Sequence, residues 1–242
     1  MRTLSALAAF VLSGSAAQAG DASTLDILGF TADARMFAFE EYGVQDGSGF
    51  PYANRFYIDV AGDKFMPGTP IRIRLETDGA TVAQAREQAR AKGQAVAPDA
   101  VLEAHRGDTV GANAITEISA DPHRMTVNPR PVFPPVSDAL EFRMEHVGVD
   151  KYPEFCRDTG GGMVGFRLSM TVLVAGQTAR TLHEDTSVPQ SRGCPLAYRI
   201  GAVQTFYPED GEPSFAVLVA IQGIGFEGPD HRWMAVTGKL PQ

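Results

Sequence analysis

Phe166-Arg167-Leu168-Ser169-Met170-Thr171-Val172-Leu173-Val174 sets Phe166, Leu168, Met170, Val172 and Val174 against Arg167, Ser169 and Thr171. Successive side chains of a strand point to opposite faces, so a period of two with one polar set means a sheet wet on one side, typical of antiparallel pairing. The same alternation recurs in Ile71, Ile73 and Leu75 around Arg72 and Arg74, and in Leu140, Phe142 and Met144 around Glu141, Arg143 and Glu145. Further strands are expected over residues 36–42, 55–60, 178–187, 198–207, 215–222 and 233–237, separated by turn sequences at 45–49, 61–63, 175–177 and 208–211. Residues 215–221 are apolar throughout, which suits a buried strand and is too short to cross a membrane. The expected fold is mainly β, an antiparallel sandwich or partial propeller-like sheet of about ten strands.

One stretch departs from this pattern. Residues 82–105 turn to Ala, Gln, Glu, Arg and Lys, with Thr81 as an N-cap, Gly93 as a stop and Pro98 opening a second short helix that ends near Gly107. Its apolar residues are mainly Ala and Val, so this small helical insertion belongs on the surface of the sheet. Pro129, Pro131, Pro134 and Pro135 favour extended geometry. They mark either a boundary between two domains or, as preferred here, a stiff crossover inside one exported β-rich domain spanning residues 20–242.

Apolar residues make up 44% of the 242, enough for a substantial core, and 25 glycines with 16 prolines imply many turns. With 21 Lys and Arg against 29 Asp and Glu, the formal net charge is -8, which argues against a nucleic-acid partner. Residues 1–19 read as a secretory signal peptide: Arg2, an apolar run over 4–12, then Ala17-Gln18-Ala19, with cleavage expected after Ala19. The apolar run is shorter than the ~20 residues that span a bilayer, so no transmembrane segment is expected after cleavage. The product would be periplasmic or secreted. Cys156 and Cys194, the two cysteines of the chain, are then expected to form a disulfide in an oxidising compartment.

Few motifs carry chemistry. Residues 160–165 satisfy GxGxxG, but a strand-like run follows where dinucleotide binding needs a helix. No serine elbow, zinc helix, phosphate loop or calcium-binding loop occurs, and no cofactor is implied. His183 and Asp185 can share one side of a strand, yet two ligands do not make a zinc site. Asp150, Glu154 and Asp158 form an acidic stretch around Pro153 that reads as solvated carboxylates.

The two ends of the mature chain share a recipe of turn, apolar strand, Gly-Phe loop and second strand, through Gly49-Phe50 and Gly225-Phe226. If these loops lie together, Tyr42, Asp46, Phe50, Tyr52, Glu227, Asp230 and Arg232 would provide aromatic walls with charges at the rim, the make-up of a ligand site. The alternative is that the aromatics fill the core beneath the loops.

Residues 30–39 are similar to the opening of a TolB-type propeller blade, where an aspartate turn precedes a strand rich in Ala and Phe. The segments 28–57, with Glu40-Glu41-Tyr42-Gly43-Val44-Gln45-Asp46-Gly47-Ser48-Gly49, and Gly225-Phe226-Glu227-Gly228-Pro229-Asp230-His231-Arg232 resemble a bacterial family of predicted secreted proteins, domain-of-unknown-function family 2259. That resemblance implies export and supplies no reaction. The functional expectation is a non-catalytic binding or envelope-accessory protein with an unknown envelope ligand or protein partner. The alternative is a hydrolase of envelope polymers using carboxylates such as Glu40, Glu41 or Asp46.

Overall fold

The computed structural model describes residues 20–158 and 162–241. The expected leader and its cleavage point after Ala19 lie outside the described residues, apart from Gly20 on the far side of the cut. Among them the chain runs β1 (Thr24–Phe30), β2 (Met36–Val44), β3 (Pro51–Asp59), β4 (Lys64–Phe65), β5 (Ile71–Arg74), α1 (Val82–Gly93), α2 (Asp99–Ala104), β6 (Asp108–Ala112), β7 (Arg124–Val127), β8 (Leu140–Gly148), β9 (Val164–Val172), β10 (Arg180–Glu184), β11 (Pro195–Phe206), β12 (Ser214–Gly223) and β13 (Asp230–Lys239). The strands form three antiparallel sheets. The first orders β1-β2-β3, with β4 and β5 both pairing β3; the second is β10-β9-β8-β7; the third is β13-β12-β11-β6. Among the described residues no sheet closes into a barrel.

The third sheet lies between the other two because β12 is apolar on both faces. Phe215, Val217, Val219 and Ile221 project to one side and join Phe142, Phe166, Leu168 and Met170 of the second sheet, together with Tyr198 and Ile200 of β11. Ala216 and Leu218 project to the other side, where with Ala202 and Ala235 they meet Phe30, Phe37, Phe39 and Phe56 of the first sheet. Alanines on one surface and phenylalanines on the other are complementary in volume, as close packing requires. Phe39 and Phe56 stack with ring centroids 4.5 Å apart and planes 7° from parallel.

The helices cover the outer face of the first sheet. Thr81 caps α1 as expected: its hydroxyl accepts from the Gln84 amide at 3.3 Å while the Gln84 side chain accepts from the Thr81 amide at 2.9 Å. Ala85, Ala89 and Gly93 lie buried along one side of α1, so its backbone sits close on the sheet. Gly93 has a steric role as well, because a Cβ there would run into the Tyr57 hydroxyl. Beneath the helices Arg55, 3% exposed, bridges Glu40 through Nε (3.1 Å) and Asp99 through Nη1 (2.7 Å). Arg86 of α1 adds bonds of 2.8 Å to both Glu40 and Asp26. Burial pushes Asp99 up, but the hydrogen bonds and charge of Arg55 hold it below the usual carboxylate range.

The alternating and apolar segments became strands within a few residues of their expected limits. Four strands went unanticipated, β1, β4, β6 and β7. β1 is interrupted by a bulge between Ile27 and Gly29, and Gly29 adopts φ 130° because α2 approaches there, with the Leu102 carbonyl occupying the space of a side chain. β4 has two residues, and β6 and β7 are short and largely exposed, too brief to show a period. The proline-rich stretch connects β7 to β8, which pair side by side in the second sheet.

Phe39→Ala should destabilise the chain by about 3–5 kcal/mol in urea unfolding, since it empties the space facing the alanines. Arg55→Ala should cost up to about 3–5 kcal/mol, because it removes the buried cation that Glu40 and Asp99 share and leaves them only the more exposed Arg86 and Arg90.

Candidate functional site

β13 pairs with β12 along one side only. Its other edge would expose unpaired backbone groups, and residues distant in the chain supply partners. The His231 amide donates to the Asp21 carbonyl (2.7 Å) and the Ser23 amide to the His231 carbonyl (3.1 Å). The Trp233 amide donates to Glu41 Oε2 at 2.7 Å, and the Thr237 amide to Asp63 Oδ1 at 2.8 Å. Along this edge a cleft of about 610 Å³ opens between β13, β3 with its β4 hairpin, Arg72 of β5 and the segment 189–194. Phe56, Ile58, Ile221 and Trp233 supply apolar wall; Glu41, Asn54, Asp63, Arg72, His183, Arg192 and Arg232 supply polar groups.

Packing sets the ionisation of these groups. Glu41 is buried, and the loss of water raises its pKa despite bonds from Asn54 and the Trp233 amide and the nearby charges of Arg232 and Arg72. Asp63 is likewise pushed up by burial, against hydrogen bonds from Thr237 and the charges of His183 and Arg192. Asp185 behaves oppositely. Burial raises it, but His183 at 2.9 Å, Arg192 at 2.6 Å and the Phe166 amide at 3.0 Å together hold it low. His183 and Asp185 thus do share one side, and their partner is Arg192. Among the described residues no three His, Cys, Asp or Glu side chains are grouped to hold a metal ion.

The two Gly-Phe loops lie together. Asp46 Oδ2 accepts from the amides of Phe226 (3.0 Å) and Glu227 (2.7 Å), and Phe226 covers Gly47. Tyr52, Asp230 and Arg232 converge next to them on Asp21: Tyr52 donates to Asp21 Oδ1 (3.1 Å), Arg232 to Asp21 Oδ2 (2.7 Å), and Arg232 reaches Asp230 at 3.4 Å. Burial pushes the Tyr52 phenol well above its ordinary range. Tyr42 does not join them. It lies on the opposite face of the first sheet, beneath the Arg86 guanidinium at 4.0 Å, because it is one residue out of phase with Glu41 and Gly43. Phe50 is half-buried in its loop, and Glu227 stands exposed. The aromatics divide between both expectations: Tyr52, Phe56 and Tyr57 are buried, Trp233 is half-buried on the cleft, and Phe226 is 83% exposed.

Cys156 and Cys194 are joined, with Cα atoms 5.5 Å apart. The bridge ties the turn at Glu154–Cys156 to the segment that carries Arg192 and Gly193 into the cleft wall. The residues 160–165 run into β9, a strand, so the helix that a dinucleotide needs is replaced; Gly160 and Gly161 lie outside the described residues. Asp150, Glu154 and Asp158 assemble no cation site: Glu154 is exposed and pairs with Arg157.

Sequence reasoning missed Arg72, Asp63 and Arg192 as neighbours. The alternation of Arg72 and Arg74 with Ile71 and Ile73 placed both arginines on one face, and only packing made that face a cleft wall.

The fold defines an all-β protein of stacked antiparallel sheets with a helical cover, and among the described residues no helix is long and apolar enough to cross a membrane. The chain belongs to the family described as "Predicted secreted protein (DUF2259)", which matches residues 38–239. Comparison with curated proteins and with solved structures found no match.

In the folded chain Glu41 keeps its proton to higher pH than it does unfolded, so its ionisation weighs against the fold as pH rises through the raised value. Glu41→Gln should therefore be at least as stable as the parent at pH 8 and lose that advantage at pH 4, compared by urea midpoints. A flipped Asn54 amide would preserve both hydrogen bonds. Equal midpoint differences at the two pH values would contradict this account.

Proposed function

We propose that the chain loses residues 1–19 on export and acts outside the cytoplasm as a non-catalytic binding or envelope-accessory protein, with its ligand in the cleft along the outer edge of β13. The observation that carries this reading is the cleft itself. Its ~610 Å³ falls within the usual range of about 300–1,000 Å³ for small-molecule sites, with apolar walls and a few polar groups held by backbone bonds.

Gly20 and Asp21 pack against the loop that leads into β13. Gly20 lies so close to the Pro229 carbonyl that a side chain would not fit, and the Asp21 amide donates to Asp230 at 2.9 Å. The hydrolase alternative draws less support from the geometry. Glu40 and Glu41 are consecutive strand residues on opposite faces, Glu40 locked under α1 and Glu41 beside β13, while one oxygen of Asp46 holds two amides. Glycosidic cleavage needs two carboxyl groups flanking one bond.

Trp233 is the only tryptophan in the chain and borders the cleft, so it reports occupancy directly. A panel of metals, glycans and envelope fragments, screened by thermal shift with tryptophan emission read in parallel, should yield a ligand that raises the melting temperature and shifts the emission together. Turnover of a glycan, peptide or ester by the purified protein, abolished in Glu41→Gln, would overturn the non-catalytic reading. Intact-mass measurement of the exported protein should give a chain beginning at Gly20.

A further inference from the structure

Arg72 stands apart among the arginines around the cleft. Arg35, Arg55, Arg74, Arg86, Arg192 and Arg232 each hold an ion pair. Arg72 has none among the described residues, although its neighbour on the same face, Arg74, pairs with Glu76. The Arg72 side chain is exposed, and its guanidinium lies 6.0 Å from the centroid of the Phe56 ring. Phe56 in turn lies 6.0 Å from Phe65, centroid to centroid, and Phe65 is 46% exposed. A cation therefore sits at one end of an aromatic shelf that lines the cleft.

Arg232 stands near it on the β13 side. Both arginines border the main cleft and a second depression of about 380 Å³ that also touches Tyr52 and Arg74, so the two cations mark the junction of these spaces. Glu41 feels the charge of Arg72 but makes no ion pair with it. Both Glu41 oxygens are engaged, one by Asn54 at 2.9 Å and one by the Trp233 amide at 2.7 Å. A protein of net charge -8 thus keeps, at an apolar wall of this cleft, a guanidinium with no ion-pair partner among the described residues.

We infer that the ligand of this cleft is a small amphipathic anion, whose carboxylate or phosphate head is held by Arg72 with Arg232 beside it and whose apolar body lies along Phe56 and Phe65. The inference rests on the binding reading above and adds the chemical class. A planar guanidinium offers two parallel N–H donors to an oxyanion, and the interaction strengthens where apolar walls exclude water. Ile224, 40% exposed across the cleft, extends the apolar contact on the opposite wall.

The test uses the mature oxidised protein and four probes: decanoate, decyl phosphate, decanol and inorganic phosphate. Binding is followed by Trp233 emission and by thermal shift. Decanoate or decyl phosphate should bind at least tenfold more tightly than decanol or inorganic phosphate, and whichever head binds better identifies the source of the anion. Arg72→Gln should weaken that binding at least tenfold while leaving the unliganded melting temperature unchanged, because Arg72 is exposed and unpaired. Arg143→Gln, on β8 outside the cleft, should bind as the parent does and controls for the loss of one positive charge.

Equal affinity for decanol would overturn the inference, as would unaltered binding by Arg72→Gln. If none of the amphipathic anions binds but a neutral glycan or peptide shifts Trp233 emission, the anion class falls and the cleft reading stands. Silence from every probe, charged and neutral, would remove both.

Discussion

β12 has no wet face, and the rest of the architecture follows from covering it twice. Seven consecutive apolar residues, 215–221, can leave water only if a sheet lies on each side. The two sides differ in relief. Phe215, Val217, Val219 and Ile221 form a high surface toward the second sheet, while on the other side Ala216, with Ala202 and Ala235 of the neighbouring strands, leaves low ground beside Leu218 that the first sheet fills with phenylalanines. An interior packed to crystal-like density tolerates neither the exchange of these partners nor a one-residue slip of β12, since a slip would turn every side chain to the wrong face.

Stacking three sheets creates a second problem at β13, whose outer edge is unpaired by any strand. Asp21, Ser23, Glu41 and Asp63 supply the missing partners from three separate places in the chain: a backbone carbonyl from Asp21, a backbone N–H from Ser23 and carboxylate oxygens from Glu41 and Asp63. Acidic residues placed against backbone amides in a dry setting lose hydration, which accounts for the raised Glu41 and Asp63. The cleft is the space left beside this sealed edge, and the bridge between Cys156 and Cys194 fixes its far wall. The hairpins β2–β3 and β12–β13 are parts of the facing sheets, and their Gly-Phe loops meet through Asp46, so the similarity between the chain ends has a spatial counterpart.

Charge within the fold is divided by depth. Under the helices, Glu40 and Asp99 share the buried Arg55 and are each paired again from α1, by Arg86 and Arg90, which fixes the helical cover on the sheet. In the cleft the pairing is incomplete, because Arg72 has no ion-pair partner among the described residues. A core network that satisfies every member rigidifies the fold, whereas an unmatched cation at an accessible wall leaves an interaction open to a ligand.

Local chemistry written in consecutive residues was legible without the structure. The period of two in Phe166, Leu168 and Met170 pointed to antiparallel sheets, Thr81 marked the start of α1, and the two cysteines, in a chain expected to be exported, pointed to the bridge. Tyr52, Asp230 and Arg232 were also legible as neighbours, through the matching Gly-Phe loops. Short strands such as β6 and β7 were hidden, because four or five mixed residues carry no measurable period. Tyr42 was misplaced with the loop residues because proximity in the chain is not proximity in a sheet, where the next residue faces the other way. What the sequence by itself determined, then, was which segments are strands and which of their faces are apolar, since these depend on side chains two or four positions apart. Which faces meet, and therefore that Glu41 seals β13 while Arg72 stands open in a cleft, was decided only by tertiary packing, because it depends on fitting the volumes of residues nearly two hundred positions apart.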